Sequence, residues 1–174
     1  MKKKLALTGL MSFVVLLIAG SLLAHPHFRK LVSASMKGLD FKLQYVTLPY
    51  NESRLKEVTS GFVFQCGRAK LTVEGETTSG DTKIAAGTYL LRAQAKSVDD
   101  WTLFLIPGAA AGDPAKPDLS KGMSLSTKVY TNQADVAHLD LDLTGGHGPT
   151  EGKVLLSVAF GSRRLETAFS VPPQ

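Results

Sequence analysis

The side chains best suited to holding a metal are His25 and His27, just past an apolar N-terminal stretch. A chain beginning at His25 carries an α-amine and an imidazole on one residue, and such nitrogens suit copper. His27, with His147 or His138 from elsewhere, would complete that site. The N-terminal copper motif with histidine third is excluded, because it needs a deprotonated amide at the second residue and Pro26 has none. The plainer reading of His25 and His27 is the polar edge of an apolar segment at a frayed terminus.

Other candidates are weaker. His138, Asp140 and Asp142 share one face of a strand in steps of about 7 Å. A straight row makes a poor cage for calcium, which wants six or more oxygens curled around it, so the row reads as a solvated strand face. His147 sits in Gly145-Gly146-His147-Gly148, a hairpin connection with only Glu151 near it in sequence. Cys66 is the single cysteine and reads as buried and inert, since no neighbouring histidine would activate a thiolate. Gly-x-Ser-x-Gly, His-Glu-x-x-His, Gly-x-x-x-x-Gly-Lys and Cys-x-x-Cys are all missing from the sequence, which lowers an enzymatic reading without removing it. Asn51-Glu52-Ser53 matches a glycosylation acceptor pattern and reads as chance.

The elements that must carry these residues follow an export signal. Lys2, Lys3 and Lys4 precede Leu5 to Ala24, a stretch of 20 residues without a charge. This describes a signal peptide over 1–24 with Ala24 at the −1 position. Leu22 at −3 is larger than usual there, and 20 apolar residues also suffice to cross a bilayer, so an uncleaved anchor is the alternative. Either way the basic end stays inside and residues 25–174 lie in the periplasm or cell envelope. Without Lys2 to Lys4, the 20 basic residues become 17 against 15 acids, which takes the net charge from +5 to +2. So even a balance predicts no nucleic-acid partner.

Beyond His25 the hydrophobic pattern has period two, the mark of half-buried strands. Eight are expected: Phe41 to Tyr45, Ala69 to Val73, Tyr89 to Ala95, Trp101 to Ile106, Leu125 to Tyr130, Ala137 to Leu143, Val154 to Phe160 and Arg164 to Val171. Ser97 to Asp100 reads as a hairpin turn. Gly75 to Thr82, Pro107 to Gly122 and Thr144 to Gly152 read as loops, and Glu52 to Val58 as a short helix with Asn51 as its N-cap. The expected fold is all-β: one antiparallel sandwich, or a barrel-like variant, after the N-terminal signal or anchor helix.

Ala85-Ala86-Gly87-Thr88-Tyr89-Leu90-Leu91, then Trp101-Thr102-Leu103, with Leu48-Pro49-Tyr50 upstream, resembles the domain of unknown function 2911 family of exported bacterial proteins. The resemblance spans roughly residues 31–171. Where the family has Trp-Arg-Thr-Gly-Ala-Asn, this chain has Phe64-Gln65-Cys66-Gly67-Arg68-Ala69, keeping the glycine. The resemblance implies an exported β protein and lends no catalytic activity or cofactor. The expected function is therefore non-catalytic, the binding of a partner or small ligand in the envelope through the loops, with a copper protein using His25 as the alternative.

Overall fold

The computed structural model describes residues 27–108 and 118–171. The expected N-terminal helix over 1–24, His25 and the middle of the Pro107 to Gly122 loop lie outside the described residues. Among the described residues, no helix is long and apolar enough to cross a membrane.

Over the described residues the period-two pattern produces eleven strands in two antiparallel sheets. In the larger sheet, β1 (Arg29–Met36) and β2 (Leu39–Val46) form a hairpin. Its turn residues Lys37 and Gly38 both have positive φ, 50° and 74°, as a two-residue turn matched to strand twist requires. β2 pairs with β4 (Lys70–Val73), and β4 with β7 (Gly87–Ala95). β3 (Val63–Phe64) continues along the same edge of β7. On the far edge lie β8 (Trp101–Pro107) and then β9 (Met123–Ser124). The smaller sheet runs β10-β11-β5-β6, from β10 (Thr127–Gly145), β11 (Lys153–Ser170), β5 (Thr77–Ser79) and β6 (Thr82–Ile84).

Three expectations are corrected. The expected strands from Leu125 to Tyr130 and from Ala137 to Leu143 belong to one strand, β10, because Asn132 to Asp135 form an irregularity in register rather than a turn. The Asn132 amide donates to the carbonyls of Gly161 and Arg163, both at 3.1 Å, and so holds the two strands together across the break. Opposite it, β11 runs unbroken through Gly161 to Arg163. The stretch from Gly75 to Thr82 is not all loop, since it contains β5 and the turn into β6. β1 is an addition to the expected strands, because its inward residues Val32, Ala34 and Met36 alternate with serines and give a weak signal. The turn over Ser97 to Asp100 forms as expected, and the helix is shorter, α1 (Glu52–Lys56), with the Asn51 carbonyl accepting from the Leu55 amide.

Inward side chains of both sheets share one core, in which the Phe41 and Phe169 rings stack with centroids 5.5 Å apart. Both lateral seams between the sheets are also bonded. On one side, Leu48 to Tyr50 leave β2 and cross to the open edge of β10, with the Leu139 amide donating to the Leu48 carbonyl at 2.7 Å and the Tyr50 amide to Ala137 at 2.9 Å. Pro49 has no amide to leave unsatisfied in the middle of this pairing. On the other side, the Leu103 amide donates to Thr127 Oγ1 at 2.9 Å and the Leu125 amide to the Leu103 carbonyl at 2.8 Å, while the Ser126 amide donates to Ser79 Oγ.

Asp140 adds a polar clasp to the first seam. Its Oδ1 accepts from Lys30 Nζ at 2.8 Å and from the Tyr45 hydroxyl at 2.7 Å. Burial pushes this carboxyl up, but the bonds from Lys30 and Tyr45 outweigh it and hold the group below the ordinary 3.8. A lowered folded-state value gives stability that is present above the unfolded value and lost as pH falls through the folded one. Because the pair is half exposed, the clasp contributes no more than about 1 kcal/mol. Asp140→Asn should therefore lower the urea midpoint at pH 7 and match the wild type once pH is well below 3.8. A gap of equal size at both pH values would show that the charge does not act this way.

Candidate functional site

Where the chain crosses between sheets, at the end of the molecule that carries His27 and Trp101, it leaves a cleft of about 440 Å³. One wall is the crossing segment with Leu48, Pro49 and Tyr50, followed by α1, which contributes Leu55. The opposite wall is aromatic. Phe62 meets Trp101 edge-on at 6.3 Å, Trp101 meets Phe160 at 5.6 Å, and Phe160 meets Phe64 at 5.6 Å. Such edge-to-face rings pack well and present apolar surface to the cavity. Trp101 is held in place by its indole N–H, which donates to the Val98 carbonyl at 2.9 Å, and it is only 3% exposed. Phe62 stands at the rim, 44% exposed.

None of the described residues lining the cleft is an acid, a lysine or an arginine. Its polar groups are those of His27, Tyr50 and Asn51. His27 Nδ1 lies 3.0 Å from the Thr47 carbonyl, which can only accept, so Nδ1 carries the hydrogen and a neutral ring offers Nε2 as an acceptor. Thr47 is fixed in turn by the Phe28 amide, which donates to its Oγ1 at 2.9 Å. The cleft is thus an apolar cavity with a few oriented polar groups, the usual makeup of a small-molecule site, and its volume lies within the common range of about 300–1,000 Å³.

Tyr50 is a partition. Behind it lies a second cavity of about 270 Å³ lined by charged groups, among them Lys56, Asp135 and Arg163. The Tyr50 ring rests against Gly161, whose φ is +52°, so closely that a Cβ at 161 would collide with the ring. Arg163 ties the turn before Trp101 to β11, donating from Nε to the Val98 carbonyl at 2.9 Å and from Nη2 to Asp99 at 2.7 Å.

The histidines are not gathered in one place. His27 lines the cleft, whereas the hairpin bearing His147 lies by Met36, since a Cβ at Gly145 would be 3.9 Å from the Met36 methyl. Seven strand steps separate Arg29 from Met36, which is about 23 Å, so His27 and His147 do not form one metal site. His138 is exposed and opposite Pro49. Asp142 is exposed and accepts from the Leu143 amide, and Asp140 is engaged in the clasp rather than simply solvated. Among the described residues, no group of three His, Cys, Asp or Glu is placed to hold a metal ion. Cys66 is fully buried, and burial pushes its thiol up to about 12 although Arg92 works against the shift.

Phe62, Phe64 and Phe160 do not stand out in the sequence as site residues, because Phe160 reads as an ordinary strand residue and Phe62 and Phe64 fall outside the expected strands. Comparisons with protein-family models, curated proteins and solved structures find no match for this chain.

Gly161→Ala should destabilise the protein by roughly 1–3 kcal/mol, through left-handed strain together with a clash against Tyr50. Adding Tyr50→Ala to that variant removes the clash and not the strain. Urea unfolding of the two single variants and the double should thus give a non-additive cycle; strict additivity would mean that residue 161 and Tyr50 do not meet.

Proposed function

We propose that this is an exported, non-enzymatic protein of the cell envelope, a single β-sandwich that holds a small, uncharged, apolar ligand in the aromatic cleft. The observation that carries this reading is the lining: four aromatic rings in sequence around a cavity of about 440 Å³, with no carboxylate or cation among the described lining residues. Burying apolar surface in such a cavity stabilises a ligand by roughly 25 cal/mol per Å². His27 and Asn51 would orient one polar group of that ligand.

Export is supported by Lys2 to Lys4 followed by the uncharged run from Leu5 to Ala24. The sandwich is supported by the shared core of Phe41 and Phe169 and by the two bonded seams. Likeness to the domain of unknown function 2911 family belongs to the same proposal, and two of its motifs, Leu48-Pro49-Tyr50 and Trp101, face the cleft.

The chain's single tryptophan lies in the cleft wall and reports directly on occupancy. Titration with a neutral naphthylamine probe should quench Trp101 emission saturably at one probe per chain. Phe62→Ala, at an exposed rim position, should weaken the probe about tenfold, equivalent to about 1.4 kcal/mol, with little change in stability. Linear, non-saturating quenching would end this reading.

A further inference from the structure

The apolar run from Leu5 to Ala24 ends just before His27, and His27 lines the cleft. If that run spans a bilayer, three peptide steps from Ala24 to His27 reach at most about 10 Å, so the mouth of the cleft is held at the membrane surface. The domain surface at this end is built for such contact. Among the described residues the large hydrophobic side chains left exposed are Phe28, Leu31, Phe62 and Tyr130. Phe28 and Leu31 follow directly on the His27 entry point, and Phe62 is a wall of the cleft itself. Arg29, also exposed, stands between Phe28 and Lys30. Aromatic and basic residues together are the composition that settles at the headgroup boundary of a bilayer.

A cleft opening beside such a surface has the membrane's own hydrocarbon as its nearest apolar molecule. We infer that the occupant of the cleft is an acyl chain of a membrane lipid, which enters past Phe28 and Phe62 and lies against Trp101 and Phe160. This inference rests on the proposed function, in that it names the ligand of the same cleft. The headgroup stays at the mouth, within reach of His27 and Arg29, because the cavity has no charged lining among the described residues to receive it.

The test uses the full chain reconstituted in phosphatidylcholine and phosphatidylglycerol vesicles whose acyl chains are dibrominated near their middle. Trp101 is almost wholly buried, behind the rim residue Phe62, so strong quenching by bromines at the middle of an acyl chain is the signature of a chain lying in the cleft. The expected result is loss of most Trp101 emission relative to unbrominated vesicles, with recovery in Phe28→Asp and Phe62→Asp, both at exposed positions and each compared with the same variant in unbrominated vesicles. Quenching that persists in both variants would overturn the inference, since the chain would then not be entering by this mouth. Unchanged emission in brominated vesicles, while the naphthylamine probe still binds saturably, would overturn the lipid assignment and leave the cleft as a site for a soluble ligand. Failure of both the vesicle and the probe experiments would remove the binding reading itself.

Discussion

The close approach at Gly67 is the constraint on which the cleft end of the molecule depends. A Cβ at this residue would collide with the Val46 carbonyl oxygen and lie 2.9 Å from the Leu139 side chain, so only glycine lets the three segments meet. Gly67 is flanked by Cys66 and Arg68, and all three have positive φ, of 48°, 63° and 56°. Left-handed backbone costs about 1–2 kcal/mol at a residue with a side chain. Here it lets the chain step between β3 and β4 while both stay on one edge of β7. The Arg92 guanidinium secures the step by donating to the Leu91 carbonyl at 2.7 Å and the Gln65 carbonyl at 3.4 Å.

Several neighbouring features depend on this meeting in turn. Val46 ends β2, so the point where it meets Gly67 fixes where Leu48 to Tyr50 begin to cross. That crossing satisfies the open edge of β10, which otherwise would expose unpaired backbone groups. Leu139, the third party at Gly67, is also a wall of the cleft. A fold-level requirement and the shape of the cavity are thus met by the same contacts.

Strands such as Phe41 to Tyr45 are legible in the sequence because each buried side chain alternates with a wet one. The merging of four expected strands into β10 and β11 is not legible, since Asn132 and Gly161 are the same residue types in a bulge as in a turn. His27 stands out in the sequence for its chemistry, whereas its importance in the structure is its position at a cleft. Its neighbours there are scattered from residue 48 to residue 160, and only topology gathers them. Asp140 shows the converse limit, because its strand neighbours suggest a solvated row while its partners Lys30 and Tyr45 come from about a hundred residues away.

The Arg163 bonds to Val98 and Asp99 make the two sides of the cleft mechanically unequal. Trp101 and Phe160 sit on β8 and β11, strands of opposite sheets that are each paired along their length within their own sheet. The Arg163 guanidinium joins β11 to the turn before β8, so the two rings form one stiff plate. Facing them, Tyr50 and Leu55 belong to a three-residue crossing held by two backbone bonds to β10 and a five-residue helix held by local ones. Short elements with few such bonds open at low free energy. Under the proposed function, shape discrimination would reside in the plate and the kinetics of entry in the compliant side, two properties that substitutions can alter separately.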